Sequence, residues 1–418
     1  MRVVLSSWGS RGDVEPLAGL AVRLRELGAE ARVCAPPDEE FAALLAGVGV
    51  ELVPLGPTVR SVVTGERPPS AAAAFRLAPE LVAARFDTLT AAAEGSDVLL
   101  ATGLMPAGAR SVAEKLGIRY VFACFHPFGL PSRHFPPGRR PGTPSPKDET
   151  DLKVLWEQDA QRVNELYGEA ENRHRAAIGL PPVDNVRDYV FTDRALLAAD
   201  PVLGPWQDMT ELDLVQTGAW ILPDERPLPD ELEAFLDAGE PPVYVGFGSM
   251  AMHTSTDLAR VAVEAVRARG RRVLLARGWA GLAPVDDRDD CLAVGEVNHQ
   301  ALFGRVAAVI HHGGAGTTTT AARAGAPQVV VPQIADQPHW AARVAELGIG
   351  AAHDGPAPTL GSLSAALKSA LTPETRARAK AVAGTMPTDG TTVAAKLLLD
   401  AGASDGQARG QTVMRADR

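Results

Sequence analysis

VAAVIHHGGAGTTTTAARAGAPQVVVPQIADQ, running from Val306 to Gln337, is the stretch from which the chain is best read. Val306 to Ile310 is an apolar run of strand type that ends at His311 and His312. Gly313, Gly314 and Gly316 follow, and Thr317 and Thr318 open an Ala-rich helical segment. A second apolar strand, Gln328 to Val331, leads through Pro332 to a polar tip from Gln333 to Gln337. Strand, glycine turn and helix N-terminus in succession make an anion site, because unshielded backbone N–H groups approach a phosphate and the helix dipole favours its charge. The second strand then brings a carboxylate and a carboxamide, Asp336 and Gln337, to the same carboxyl edge of the sheet, where open α/β sheets bind ligands. These residues lead us to expect a phosphate-bearing ligand with a polar, hydroxyl-rich second half.

Outward from this stretch the same pattern recurs. Val243 to Gly248 is a strand ending in a glycine turn with Ser249, followed by a helix from about Thr256 to Arg269. Strands at Arg272 to Ala276 and Leu292 to Val294 and a helix at Gln300 to Phe303 come next, and helices at Leu360 to Leu371, Pro373 to Ala383 and Thr391 to Leu399 close the chain. The first half begins with a strand at Val3 to Leu5, the loop SSWGSRGD and a helix from about Pro16 to Leu27. Strands follow at Ala31 to Ala35, Glu51 to Pro54, Asp97 to Ala101 and Tyr120 to Cys124, with a final strand-like piece at Leu196 to Leu203. Between them lie a Pro/Ala/Arg-rich stretch, Thr58 to Ala78, that reads as a mobile loop, and a second insertion, His126 to Asp151. Leu152 to Ile178 reads as one amphipathic helix stopped by Gly179-Leu180-Pro181-Pro182. Two successive halves of parallel-sheet pattern imply an α/β protein of two facing Rossmann-like domains with an interdomain cleft. We place the first domain at 1–217, a proline-rich acidic linker at 218–242, the second domain at 243–384, a returning C-terminal helix at 385–402 and a disordered polar tail at 403–418.

Composition excludes several classes. An apolar content of 46% supports real cores, and a net charge of -10 lacks the basic footprint of a nucleic-acid binder. Three scattered cysteines, Cys34, Cys124 and Cys291, build neither a disulfide framework nor a tetrahedral zinc site, and they read as small core residues. No apolar run approaches the ~20 residues that span a bilayer, and the first strand starts at once, so a cytoplasmic protein is expected.

The chemistry narrows further. The first loop lacks the GxGxxG spacing of a dinucleotide fold, and GxxxxGK[ST] is absent as well. His311 and His312 are adjacent, so they point to opposite sides of a strand, and no third ligand stands at metal spacing. No metal is expected. Asp287-Arg288-Asp289 lies in the run DDRDD, a solvated charged turn. Ser249, the glycine loop and His312 together supply backbone donors, hydroxyls and an imidazole that suit a diphosphate without a metal. Asp13, at the tip of the first strand, reads either as a general base at the ligand edge or as a cap on the following helix. Phe125, His126, Phe128, His134, Phe135 and Trp156, in or beside the second insertion, either line an apolar acceptor pocket or pack under their own loop.

GEVNHQALFGRVAAVIHHGGAGTTTTAARAGAPQVVVPQIADQP resembles the nucleotide-sugar signature of inverting GT-B glycosyltransferases of family 1. MRVVLSSWGSRGDVEPLAGLAVRLRELGAEARVCAPP, SVAEKLGI, AIGLPPV, VQTGAWILPDERPLP and VYVGFGS extend the resemblance to the glycopeptide-antibiotic enzymes of the vancomycin and teicoplanin type, over Met1 to about Ala401. The resemblance implies that Val297 and Asn298 meet the nucleotide base through the backbone. By the same resemblance Ser249, His312, Gly314, Gly316 and Thr317 hold the diphosphate, and His312 stabilises the charge that develops on the departing nucleotide. Asp336 and Gln337 bind the sugar, with Asp336 also a candidate for catalysis. Asp13, with Ser10 and Arg11 beside it, serves as the base across the cleft, and the first domain takes the acceptor. The C-terminal helix is expected to return to brace that first domain.

The reading that follows is a metal-independent, inverting hexosyltransferase with no cofactor, using a UDP- or TDP-hexose of the glucose or N-acetylglucosamine type as co-substrate. Its acceptor is a hydroxyl of a vancomycin- or teicoplanin-class aglycone, and neither nucleic acid nor membrane is a partner. A monomer is expected. The alternatives are a deoxy-aminosugar donor, another acceptor such as a macrolide or polyketide, and an inactive glycosyltransferase-like activator.

Overall fold

The computed structural model describes residues 1–63, 71–138, 150–192, 194–207, 214–248 and 255–400. Ser249 and the tail from 401 lie outside the described residues, as do 64–70 of the stretch read as a mobile loop and 139–149 of the second insertion. Parallel strands are buried on both faces, so they are written as continuous apolar runs, and the runs of this sequence fold accordingly. The first sheet contains β1 (Arg2–Trp8), β2 (Glu30–Ala35), β3 (Glu51–Pro54), β4 (Val98–Gly103), β5 (Arg119–Cys124), β6 (Leu196–Leu197) and β7 (Val215–Gln216). Its order is β3-β2-β1-β4-β5-β6-β7, all parallel. The second sheet contains β8 (Val243–Gly246), β9 (Val273–Ala276), β10 (Cys291–Val294), β11 (Ala308–His311), β12 (Gln328–Val330) and β13 (Gly350–Ala352), in the parallel order β10-β9-β8-β11-β12-β13.

Two compact units hold these sheets. One comprises Met1–Ala199, Trp206–Leu222 and Thr388–Arg418, the other Asp200–Pro205 and Pro223–Pro387. In the first, the helix Arg11–Glu26 buries Val14, Leu17, Leu20 and Leu24, spaced three and four residues apart as one helical face requires. Each such leucine contributes about 1.5–3 kcal/mol of burial. Residues 390–400 form a helix in this same unit, and Arg119 donates to the carbonyls of Leu397 and Leu398 at 3.4 and 3.1 Å. In the second unit the two faces of β11 divide by strand alternation. Ile310 packs with Val245, Val329, Val263 and Leu367, whereas Val309 packs with Tyr244, Leu274, Phe303 and Leu232. Asp200–Pro205 joins this unit because Arg343 donates to the carbonyls of Leu203 and Val202 at 2.9 and 3.0 Å.

Several elements differ from the sequence expectation. The first helix begins at Arg11 rather than near Pro16, which places Asp13 in its first turn and makes Ser10 the N-cap residue. Thr58 to Ala78 is largely helical where described, as Val59–Val63 and the start of Ala71–Ala92. The four alanines from Ala71 are the strongest of helix formers and outweigh the nearby prolines. The long helix read at Leu152 to Ile178 carries a π-turn at Asn164–Gly168, where the Asn164 carboxamide ties down Asp184 O and Val186 N. Strand pairing near Leu196 covers only β6, and the short strands β7 and β13 complete the sheet edges. Within 218–242 the helix Asp230–Asp237 buries Leu232 and Leu236, so much of this proline-rich stretch is packed structure.

Candidate active site

Strand order singles out one crevice in each unit. In the second sheet the chain runs outward from β8 to β10 on one side and from β11 to β13 on the other, so β8 and β11 flank the point where the order reverses. Ligands of open α/β sheets bind beyond the strand carboxyl ends at such a point. The loops after β8 and β11 meet there. A Cβ on Gly248 would lie 3.2 Å from His312 Cε1, and one on Gly314 would lie 2.6 Å from His312 Nε2, so the imidazole is held between two glycines. Gly313 has φ +92°, and a side chain there would strike Val330 and Gln337, so only glycine fits this turn.

His311 faces inward and is fully buried. Its Nδ1 accepts the Gly313 N–H at 3.1 Å, so its proton sits on Nε2, which donates to Gln328 Oε1 at 2.8 Å. Gln328 Nε2 donates onward to the carbonyl of Thr318 at 3.3 Å. The network ties the glycine loop to β12 and to the helix Ala315–Arg323. His312, by contrast, keeps a buried Nδ1 without a hydrogen-bond partner. Burial pushes the His311 imidazole down to about 3. Burial also pushes His312 down to about 4, opposed by the Asp336 carboxylate, whose negative charge favours the protonated ring. An unfolded chain protonates both rings near pH ~6.5 while the folded protein resists. The stability owed to this neutral pair is therefore complete above about pH 6.5 and is lost as pH falls through about 4 for His312 and about 3 for His311. The midpoint of thermal unfolding is expected to drop across that window, and to drop less steeply in His312→Gln; equal slopes in the two proteins would remove His312 from the effect.

Gly314 is the N-cap residue of the helix Ala315–Arg323, and Gly316 and Thr317 lie in its first turn. A Cβ on Gly316 would meet nothing within 4 Å, and its φ is unremarkable for any residue. Gly316→Ala should therefore stabilise the helix by up to about 1 kcal/mol. If the space above it belongs to a diphosphate, the same variant should weaken nucleotide diphosphate binding about tenfold or more, read by calorimetry beside a melting curve. Unchanged binding would show that the ligand lies elsewhere.

The tip after β12 carries the carboxylate and the carboxamide. Asp336 precedes the helix Gln337–Glu346, and its Oδ2 accepts the indole N–H of Trp340 at 2.7 Å. Gln337 is buried, and its Oε1 accepts the N–H groups of Gln333 at 2.7 Å and Ile334 at 3.0 Å. Val297 and Asn298 follow β10 and are both buried. The Asn298 side chain is committed locally. Its Oδ1 caps the helix His299–Leu302, and its Nδ2 donates to the carbonyls of Asp224 and Arg226, each at 2.8 Å. Among the described residues no group of three or more His, Cys, Asp or Glu side chains could hold a metal ion.

In the first sheet the order reverses between β1 and β4, and Asp13 follows β1 at that point. A Cβ on Gly9 would sit 2.1 Å from Asp13 Oδ2, so the missing side chain makes room for the carboxylate. Ser10 Oγ donates to the same oxygen at 3.5 Å, and Arg11 Nε pairs with Glu15 at 2.7 Å. Phe125 meets Trp220 edge-on at 5.9 Å, and His126 stacks on Phe128 at 4.1 Å. Trp156 is buried and donates its indole N–H to Phe135 O at 2.9 Å, so it packs under its loop. Sequence reading assigns no site role to Trp340, Gln328 or Gly248. For Trp340 a signal exists, because it stands four residues beyond Asp336, but that spacing gains meaning only once a helix starts at Gln337.

Comparison with known proteins bears on this geometry. A family model described as "Erythromycin biosynthesis protein CIII-like, C-terminal domain" matches residues 286–397. The vancomycin aglycone glucosyltransferase of Amycolatopsis orientalis is 59% identical over 403 residues, covering 96% of this chain and 98% of that protein. The dTDP-epi-vancosaminyltransferase of the same organism is 54% identical, again over 96% of this chain and 98% of its own. The solved glycosyltransferase of kitacinnamycin matches with a TM-score of 0.71 at 21% identity, over 96% and 98% of the two chains, which shows a shared fold. With more than half of its positions identical to such relatives along nearly its whole length, the chain belongs to the GT-B, family 1 glycosyltransferases, in the group of the vancomycin-type enzymes.

Proposed function

We propose that the protein transfers a hexose, of the glucose or N-acetylglucosamine type, from a UDP- or TDP-sugar to a hydroxyl of a glycopeptide-antibiotic aglycone of the vancomycin or teicoplanin class. The observation that carries the donor half is the crevice between β8 and β11, where His312, the glycine turn and a helix N-terminus converge. The acceptor half rests on the 59% identity to a vancomycin aglycone glucosyltransferase. No metal or cofactor takes part, and the enzyme works as a cytoplasmic monomer.

The acceptor oxygen attacks the anomeric carbon as the bond from that carbon to the β-phosphate oxygen breaks, on the opposite face, so the configuration inverts. Asp13 takes the acceptor proton. A phenol of pKa ~10 needs only partial help from a carboxylate as the new bond forms. Negative charge passes to the departing diphosphate, where an N–H of His312, backbone N–H groups at Gly314 and Gly316 and the hydroxyls of Thr317 and Ser249 stabilise it. Val297 and Asn298 meet the base through the backbone, and Asp336 and Gln337 meet the sugar hydroxyls. Ser10 and Arg11 flank Asp13, and Phe125, His126 and Phe128 contribute to the acceptor surface. The 54% identity to a dTDP-epi-vancosaminyltransferase favours a deoxy-aminosugar as the second reading.

Incubation with a panel of nucleotide sugars and both aglycone types should yield a product heavier by one hexose, measured by mass spectrometry. A deoxy-aminosugar increment would select the second reading. No increment with any donor, together with tight binding to another glycosyltransferase, would instead mark an inactive activator.

A further inference from the structure

Asp336 occupies the N-cap position of the helix Gln337–Glu346, yet its side chain makes no capping hydrogen bond. An aspartate there ordinarily turns back onto the N–H groups of its own helix. This one is drawn aside by Trp340, whose indole N–H reaches Asp336 Oδ2 at 2.7 Å from one turn further along. Trp340 is only 2% exposed, so its ring has no freedom to let the carboxylate go. The loop before it is held with equal care. Gln337 Oε1 receives two backbone N–H groups, and Gln333 Nε2 donates to the carbonyls of Val331 at 3.1 Å and Pro356 at 2.9 Å. Ala335 stands at φ +53°, a left-handed conformation that a side chain disfavours, so the surrounding bonds hold the turn in place.

We propose that Trp340 is a positioning residue for sugar transfer: by occupying Oδ2 it leaves Oδ1 of Asp336 to accept a hydrogen bond from one hydroxyl of the donor sugar. The proposal rests on the reading that Asp336 meets the sugar. It makes Asp336 a one-sided acceptor whose direction is set by a buried indole rather than by the ligand. Losing the N–H while keeping an aromatic ring in the core should loosen that direction without touching the diphosphate loop.

Trp340→Phe tests this. Its kcat/KM for the nucleotide sugar is expected to fall about 10- to 100-fold, the scale on which small misplacement of a reacting group acts. Affinity for the nucleotide diphosphate alone should stay within about twofold of wild type, a split that general damage to the unit would not produce. Wild-type transfer by Trp340→Phe, or a parallel loss of diphosphate affinity, overturns the proposal. Asp336→Ala separates it from the reading beneath it. Unimpaired transfer there removes the sugar role of Asp336 itself, whereas impaired transfer beside an unaffected Trp340→Phe removes only the role of Trp340. If Trp340→Phe does not fold, 15N-labelled tryptophan in the wild-type protein gives a second measurement. The indole resonance that Asp336→Ala displaces should move on adding nucleotide sugar and stay put on adding nucleotide diphosphate; an identical response to both contradicts the proposal.

Discussion

Asp13→Asn is expected to lower kcat by about 10²- to 10⁴-fold, the range for loss of a positioned general base. Nucleotide diphosphate affinity should be unchanged, because the residue belongs to the unit that does not carry the glycine turn. Asp13 sits beyond β1 where the first sheet reverses its order, with its carboxylate in the space left by Gly9 and with Ser10 Oγ at 3.5 Å. Asparagine keeps the shape and the hydrogen bond from Ser10 but has no lone pair basic enough to take a proton. Single-turnover transfer beside a calorimetric titration checks both halves. Turnover within a few-fold of wild type would remove Asp13 from the role of base and leave it as a first-turn acid complementing the helix dipole.

His312→Ala should show a different signature, with kcat down about 10²- to 10³-fold, or roughly 3–4 kcal/mol of transition-state stabilisation. If the proposed diphosphate role holds, nucleotide diphosphate affinity should fall with it, since the leaving group and the released product would then meet the same N–H. The ring sits between Gly248 and Gly314, neither of which carries a side chain that could replace it. Burial keeps this imidazole neutral without ligand, its pKa pushed down to about 4. A diphosphate arriving beside it works against that burial and favours the proton. A variant that lost turnover but bound diphosphate as before would place His312 away from the leaving group.

Much of the donor half was legible in the sequence because its signals are local. An apolar run ending in His311-His312, glycines at fixed spacing and an Ala-rich helix start all lie within a few residues of one another. The same holds for Asp336 and Gln337 after the next strand. Other readings failed where local signs conflict. Prolines in 218–242 read as a linker, yet Leu232 and Leu236, four residues apart, bury one flank of the helix Asp230–Asp237 there. Prolines around Thr58 to Ala78 hid an alanine run that starts the helix Ala71–Ala92.

The sequence by itself determined two parallel α/β halves, the glycine turn with its imidazole, and the family, because apolar periodicity, glycine spacing and long matching strings are properties of contiguous residues. The tertiary structure alone decided what those residues do to one another. Strand order put β8 beside β11 and so brought Gly248 under His312; pairing of β11 with β12 brought the Gln328 side chain within reach of His311; and the true start of a helix at Gln337 turned Trp340 onto Asp336. Contacts between residues 17 or 64 positions apart depend on which strands neighbour each other, and the chemical identity of the residues between them carries no such information.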